Sequence, residues 1–284
     1  MLLRFIAGGP DVPDELVDAV LAGDVVFLCG AGVSKGAGLP LFNELTFKIY
    51  EDLGETFEND PAERESIKKD EFDRTLRALE KRVRRPGSLR SPVRKSCAKH
   101  LQVPAGTTFP HHAAVLALSR DKEGRARVLT TNFDTLFERA AVDRDEELFS
   151  ASVKGLPKPG GPLDFGIHHL HGRIADAVLG LEESELVLTS ADFGDAYLRD
   201  GWASRYIEDR MRTATLVLLG YRAEDAALRL LLETLDVDRE RFPDLKRVYA
   251  LERQAPDSAA QWRAKGVTPV EFSGLRGHFC NNTR

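Results

Sequence analysis

The sequence has few cysteines and no long apolar run. Its three cysteines, Cys29, Cys97 and Cys280, form no Cys-x-x-Cys pair, which excludes a disulfide framework and a zinc ribbon built from cysteines. No apolar stretch approaches the roughly 20 residues needed to cross a bilayer, and the first residues lack the pattern of a signal peptide. We therefore expect a cytoplasmic protein in a reducing setting, with no metal and no membrane contact.

Basic residues are not massed on any part of the chain, and the formal net charge is -5. This balance argues against direct binding of nucleic acid. One short basic run, residues 81–85, ends a charged helical segment and is typical of a solvated helix face. The chain of 284 residues also lacks internal repeats and low-complexity linkers. Its length predicts a single domain over residues 1–284, with a helical insertion at 43–110 in which apolar residues recur at helical spacing.

A glycine-rich turn follows the first predicted strand. Residues 24–29 form a short apolar run that suits a strand buried on both faces of a parallel sheet. Four glycines lie in the next nine residues: Gly30, Gly32, Gly36 and Gly38. Glycine allows positive φ and close approach of a ligand to the main chain, and a helix that follows such a turn offers N–H groups to a phosphate. The turn therefore predicts a nucleotide site, with an unliganded structural turn as the alternative.

The spacing of the turn differs from the usual dinucleotide fingerprint. Gly36 comes one residue late for Gly-x-Gly-x-x-Gly, and the acidic residues about 20 positions further on fall inside a predicted helix rather than at the end of a second strand. An ordinary dehydrogenase is therefore not expected.

Further apolar runs alternate with helical patterns along the chain. Strands are predicted at 126–131, 167–170, 186–189, 214–219, 247–251 and 267–272, and helices at 112–119 and 226–235. Alternation of this kind predicts an α/β fold with a Rossmann-like, doubly wound and mostly parallel sheet. In such a sheet the ligand lies outside the carboxyl ends of the strands.

Polar residues stand at two of these strand ends. Asn132 and Asp134 follow the second strand, where either side chain could instead cap the next helix. His171 and Gly172 follow the third strand. Strand alternation predicts that His169 and His171 share one face, and His171 is a candidate general base near neutral pH.

These strand-end motifs, in this order, resemble those of the sirtuins. Residues 30–34 (Gly-Ala-Gly-Val-Ser) with residues 38–42 (Gly-Leu-Pro-Leu-Phe) resemble the first sirtuin motif, residues 131–134 (Thr-Asn-Phe-Asp) the second, and His171-Gly172 the motif of the catalytic histidine. The chain departs from true deacylases, which carry four zinc cysteines, Asp and Arg where this chain has Leu41 and Asn43, and Gln where it has Thr131.

Residues 187–193 and 219–225 are similar to a bacterial branch, the sirtuin-like domains of anti-phage defence proteins. Members of that branch hydrolyse NAD+ to nicotinamide and ADP-ribose, and some work with an Argonaute-like or ATPase partner. The resemblance implies an NAD+ glycohydrolase with NAD+ as substrate and no metal. It also leads us to expect a homo-oligomer and a defence partner or an additional domain.

The resemblance assigns roles at the site. Asn132 would hold the ribose or a water, His171 would accept a proton, and Asp134 would either bind the carboxamide or stabilise positive charge on the sugar. The pyrophosphate would lie against the N–H groups of Ala31, Gly32 and Val33. The full set expected to bind NAD+ is Gly30, Ala31, Gly32, Val33, Ser34, Leu39, Pro40, Phe42, Thr131, Gly220 and Tyr221.

Two other functions remain open at this point. One is an NAD+-dependent deacylase, against which the missing zinc cysteines and the altered residues 41 and 43 count. The other is a non-enzymatic module that binds NAD+ or ADP-ribose as a sensor. The presence of both Asn132 and His171 argues against a sensor, because binding alone does not require a base.

Overall fold

The computed structural model describes residues 1–6, 9–84, 91–144, 146, 149–221, 226–242 and 245–273. Arg85, Asp225 and Cys280, which belong to patterns noted above, lie outside these ranges. The strands are β1 (Leu2–Leu3), β2 (Val12–Pro13), β3 (Val25–Cys29), β4 (Arg127–Thr130), β5 (Ser150–Ser152), β6 (Gly166–His169), β7 (Thr215–Leu219), β8 (Val248–Arg253) and β9 (Thr268–Phe272). The helices are α1 (Asp14–Leu21), α2 (Ala31–Ser34), α3 (Phe42–Leu53), α4 (Pro61–Lys68), α5 (Phe72–Val83), α6 (Pro92–His100), α7 (Pro110–Leu118), α8 (Leu136–Val142), α9 (Ser190–Phe193), α10 (Trp202–Thr213), α11 (Ala226–Arg241) and α12 (Ser258–Ala264).

The strands from β3 onward form one parallel sheet in the order β5-β6-β4-β3-β7-β8-β9. β1 and β2 pair separately as an antiparallel ribbon. The chain winds from the central β3 first to one side of the sheet and later to the other, and helices cover both faces. The predicted doubly wound α/β fold is therefore confirmed.

The core has two halves because alternate residues of each strand face opposite ways. In β3, Val25, Phe27 and Cys29 belong to a cluster with α1, α3 and α5–α8, whereas Val26 and Leu28 belong to a cluster with α10–α12. All five residues of β3 are buried. This explains why the strand is an almost continuous apolar run in the sequence.

Most of the predicted strands form, with two differences. Residues 186–189 are buried as expected but join no strand ladder. The reason is that their main-chain groups bond elsewhere, since Val187 N donates to His171 O and Leu188 N donates to the Asp192 carboxylate. Conversely, β5 forms at the edge of the sheet from the polar sequence Ser-Ala-Ser, which carries no apolar signal.

The register brings four strand ends to one edge of the sheet. Cys29 lies opposite Thr130 on one side and Leu219 on the other, and Thr130 lies opposite His169. The segments that follow β3, β4, β6 and β7 therefore leave the sheet next to one another.

Helices α3–α6 fill the segment 43–110 between β3 and β4. Buried apolar residues of α3, α5 and α6, including Ile49, Leu79 and Cys97, belong to the same apolar cluster as β3. The division of the chain into one domain with a helical insertion stays a prediction. Among the described residues, no helix is both long and apolar enough to cross a membrane.

Candidate active site

The turn after β3 packs directly against the turn after β7. Gly30 N donates to Leu219 O at 3.0 Å, and Gly32 N donates to Gly220 O at 2.9 Å. A Cβ on Gly30 or Gly32 would lie within 2.8 Å of atoms of the other turn, and a Cβ on Gly220 would lie 2.6 Å from Val33 N. Glycine is required here because two stretches of main chain touch.

Two of the three N–H groups expected at a pyrophosphate already donate to main-chain carbonyl groups, one across the two turns and one within the first turn. Gly32 N donates to Gly220 O, and Val33 N donates to Gly30 O at 3.1 Å. Ala31 opens the short helix α2 and is half-buried. In this conformation the turn after β3 is held by main-chain hydrogen bonds within itself and to the turn after β7.

The Ser34 network consists of Ser34, His112, Asn132 and Asp134, and it joins residues that are far apart in the sequence. The Ser34 hydroxyl donates to Asp134 Oδ2 at 2.9 Å and accepts from Asn132 Nδ2 at 3.0 Å. His112 Nε2 lies 3.1 Å from the same hydroxyl oxygen. Asn132 Nδ2 also donates to Gly30 O at 3.2 Å, which ties the network to the glycine turn. All four side chains are buried.

Burial controls the charges in this network. Loss of hydration lowers the pKa of His112 to about 4, so the imidazole is neutral at neutral pH and carries one proton. Because the Ser34 hydrogen is donated to Asp134, that proton belongs on Nε2, which leaves Nδ1 without a partner among the described residues. Burial also raises the pKa of Asp134, against the opposing effect of the Ser34 hydrogen bond.

His171 lies at the same edge of the sheet with a different set of neighbours. Its Nε2 is 2.7 Å from the hydroxyl of Tyr197. The Phe193 ring stands edge-on to the imidazole at 5.1 Å between centroids, and the Phe193 and Tyr197 rings are stacked 5.9 Å apart. Burial lowers the pKa of His171 to about 3.

The prediction that His169 and His171 share one face of the sheet is wrong. His169 contacts Glu138 of α8 through Nε2 at 2.7 Å and Asn132 O through Nδ1 at 3.1 Å, whereas Tyr197 belongs to the apolar cluster on the other face of the sheet. Strand alternation ends with β6 at His169, and the chain then turns. Gly172 has φ of +86°, and a Cβ there would lie 2.0 Å from Glu185 O.

His169 and Glu138 form a buried ion pair beneath the site. Burial alone would lower the pKa of His169, but the Glu138 carboxylate outweighs that effect and raises it. Burial alone would raise the pKa of Glu138, but the charge and hydrogen bond of His169 outweigh burial and lower it. Ser150 of β5 donates to the same carboxylate at 2.6 Å. The pair therefore fixes the backbone of Asn132 through His169.

The other residues expected to bind NAD+ surround this edge. Thr131 is buried, and its N donates to Cys29 O at 3.0 Å. Leu39 is a core residue, and Phe42 packs against the same cluster at the start of α3. Pro40 is half-buried beside them, and Tyr221 packs against the cluster on the other face.

The structure thus brings Gly30, Ser34, Asn132 and Asp134 into direct contact, and it packs the glycine turn on Gly220. No hydrogen bond within the described part of the chain joins the Asn132 side chain to His171. Sequence reasoning missed His112 and Tyr197. The position of His112 at the start of a predicted helix gave no sign of a polar partner 78 residues away.

A metal site is not evident at this edge. Within the described residues, no group of three or more His, Cys, Asp or Glu side chains is placed to hold a metal ion. The Ser34 network and His171 supply hydrogen-bond donors, the buried carboxyl group of Asp134 and two neutral imidazoles, His112 and His171. Such groups can orient a polar ligand and accept a proton.

Comparison with known proteins places the chain in a family. The model of the SIR2-like domain matches residues 126–270, just over half of the chain. An uncharacterized protein, y4cA, of Sinorhizobium fredii (strain NBRC 101917 / NGR234) is 47% identical over 277 residues, covering 95% of this chain and 23% of that protein. The chain therefore spans about a quarter of that relative's length.

Two solved structures also resemble the chain at low scores. One, described as "Structural Basis for the Mechanism and Regulation of Sir2 Enzymes", has a TM-score of 0.43 and 16% identity, and covers 93% of this chain and 92% of its own. The other, described as "Sir2-p53 peptide-NAD+", has a TM-score of 0.38 and 15% identity, and covers 91% of each chain. From the match over residues 126–270, the chain belongs to the family of SIR2-like domains.

Proposed function

We propose that this domain binds NAD+ at the carboxyl edge of the sheet and hydrolyses it to nicotinamide and ADP-ribose. The observation that carries the proposal is the Ser34 network, in which Asn132 and Asp134 both bond to the Ser34 hydroxyl and Asn132 also bonds to Gly30 O. Membership of the SIR2-like family supports NAD+ as the ligand. His171 lies at the same edge and is the candidate base of the proposed reaction.

In the proposed reaction, the bond between the nicotinamide nitrogen and the ribose C1′ breaks. The electron pair leaves with the nicotinamide, which becomes neutral, and positive charge develops on the sugar. Water adds to C1′ and gives up a proton. A neutral His171 accepts that proton at Nε2, directly from the water or by way of a ribose hydroxyl.

Asn132 and Asp134 have supporting roles in this proposal. The Asn132 amide is held by Ser34 and Gly30, so it is preorganised to orient the ribose or the water. Asp134 either receives the carboxamide of nicotinamide or stabilises the positive sugar when ionised. Burial raises the pKa of Asp134, whereas the hydrogen bonds donated by Ser34 and by Leu136 N act to lower it.

The test is release of nicotinamide from NAD+ by the purified protein. We expect Asn132→Ala and His171→Ala each to lower the rate by about 100-fold or more, as is usual for loss of an acid–base or orienting group. His111→Ala is the matched control, because it removes an exposed imidazole one residue from the buried His112. Urea unfolding of each variant would show that the loss is not one of folding.

Three outcomes separate the candidate functions. Wild-type turnover in both alanine variants would refute the assigned roles. Production of acyl-ADP-ribose when an acetylated peptide is added would indicate a deacylase. NAD+ binding without nicotinamide release, in this chain and in the full-length protein, would indicate a sensor.

We further propose that NAD+ depletion by the full-length protein serves anti-phage defence. The support is the similarity of residues 187–193 and 219–225 to sirtuin-like defence domains. The 23% coverage of a longer relative also leaves room for a further domain that senses the trigger. NAD+ levels in infected cells expressing the full-length protein, or its His171→Ala variant, would test this role.

A further inference from the structure

A short segment packs two aromatic rings against His171. This covering segment, residues 190–199, consists of α9 followed by a π-helical turn, Gly194–Arg199. It contributes both Phe193 and Tyr197, the two rings that contact the imidazole. With these rings in place, His171 is only 5% exposed. A substrate as large as a dinucleotide therefore cannot reach the imidazole in this conformation.

The Tyr197 hydroxyl stands where a reacting group would have to stand. A general base must lie about 2.6–3.2 Å from the atom whose proton it takes. The Tyr197 oxygen lies 2.7 Å from His171 Nε2. The hydroxyl therefore occupies the position that the proposed mechanism gives to a water or a ribose hydroxyl.

We propose that Tyr197 is a place-holder for the proton donor of the reaction, and that substrate reaches His171 only when the covering segment moves away. The inference rests on the proposed function for the identity of the substrate. The evidence for the closed arrangement is independent of the substrate, because it consists of the contacts that Phe193 and Tyr197 make with His171.

The covering segment is latched to the helices between β3 and β4. Asp192 Oδ2 accepts hydrogen bonds from the main-chain N–H groups of Leu188 and Thr189 at 3.1 and 2.8 Å. The same oxygen accepts from Arg94 Nη2 of α6 at 2.6 Å. Arg94 is also bonded to Glu80 of α5 at 3.0 Å. A movement of α5 and α6 would therefore be transmitted to Phe193, the next residue after Asp192.

The geometry of the segment suits a moving part. π-helical turns are rare and are frequently found at functional sites. Gly201, with φ of +60°, separates this turn from α10. Beyond the turn, Lys154 binds Asp200 at 2.7 Å through an exposed ion pair, a weak tie in water.

Closure also weakens His171 as a base. Burial holds its pKa at about 3, and exposure to water would bring the pKa back toward the ordinary value. Opening would therefore admit substrate and strengthen the base in one step.

The first test measures closure without any reference to catalysis. Diethyl pyrocarbonate modifies accessible neutral imidazoles, and mass spectrometry gives the rate at His171. Tyr197→Phe removes the hydroxyl and keeps the ring, so loss of one hydrogen bond should raise the rate about five-fold. Arg94→Gln removes the latch and should raise it about ten-fold.

The chain offers a matched control for each variant. Tyr206→Phe removes a buried hydroxyl that is also bonded to a histidine, His168 Nδ1 at 2.9 Å. Arg212→Gln removes an arginine from an exposed ion pair with Glu208 on α10. Neither control should change the labelling rate of His171. Labelling of wild-type His171 as fast as that of the exposed His111 would overturn closure.

The second test follows nicotinamide release in the same proteins. Tyr197→Phe should lower KM for NAD+ about five-fold without lowering kcat, because substrate no longer competes with the hydroxyl. A fall in kcat at unchanged KM would overturn the place-holder role, since the hydroxyl would then act in the reaction itself. If no variant releases nicotinamide while the labelling rates change as expected, the proposed function fails and closure stands.

Discussion

Mild acid should destabilise this protein strongly, because the described part of the chain buries three neutral histidines. Burial lowers the pKa of His112 and His168 to about 4 and that of His171 to about 3, from an ordinary value of 6.5. A group with a lowered folded pKa gives its full stability above the unfolded value and loses it as pH falls toward the folded value. Between about pH 7.5 and about pH 5, each histidine therefore costs about 2 kcal/mol.

The combined loss is large compared with the stability of a typical domain. Three such groups amount to about 6 kcal/mol, whereas domains are stable by about 5–15 kcal/mol. His169 acts in the opposite sense. Its raised pKa, set by Glu138 against burial, gives stability that is present below the unfolded value and lost as pH rises through the folded value. To separate these opposing contributions, the pH-dependent loss of stability should be compared between wild type and a variant that lacks one of the histidines.

His112→Gln isolates one of the three contributions. Glutamine has an amide that can donate to Ser34, and it does not titrate. We would measure the free energy of unfolding in urea at about pH 7.5 and about pH 5. The loss of stability between these pH values should be about 2 kcal/mol smaller in His112→Gln than in wild type. His111→Gln, at an exposed position, should change the loss by no more than about 0.5 kcal/mol. An equal loss in wild type and His112→Gln would refute the claim that His112 is buried uncharged.

Two further substitutions test the packing. Gly220→Ala should lower the free energy of unfolding by more than about 2 kcal/mol, because it combines positive φ with a Cβ 2.6 Å from Val33 N. The control Gly54→Ala, with positive φ and open space around it, should lower it by only about 1 kcal/mol. Similar costs in urea unfolding would show that the contact between the two turns is not tight. Asp164→Asn should cost about 3–5 kcal/mol, because it leaves the buried Arg210 guanidinium without its carboxylate at 2.6 Å. A thermal melt unchanged from wild type would contradict that value.

The fold could be predicted because its signals are local. A strand buried on both faces is rich in apolar residues, and β3 and β7 show this clearly. The edge strand β5 could not be found, since its Ser-Ala-Ser sequence has no such pattern. Residues 186–189 were wrongly predicted to form a strand. Their apolar run correctly predicts burial, but it does not show which groups the main chain will bond.

The site could be predicted only in part for a related reason. Asn132, Asp134 and His171 were identifiable because each follows a recognisable strand, and their roles remain predictions. His112 lies in a helix on one face of the sheet, and Tyr197 lies in a π-helical turn after a motif with no assigned role. Their partners are fixed by tertiary packing, which no local pattern in a single sequence records.

The central place of β3 limits how the protein can be cut. In the described sheet, three strands lie on each side of β3, and all six come from residues 127–272, which nearly coincide with the family match at 126–270. A fragment trimmed to that match would hold two three-stranded halves whose inner edges, β4 and β7, have lost their shared neighbour. Exposed apolar edges of this kind pair with other molecules, so the fragment should aggregate. On the ribosome, too, β3 emerges well before β4 and must wait for it, because Cys29 and its neighbour Thr130 are 101 residues apart.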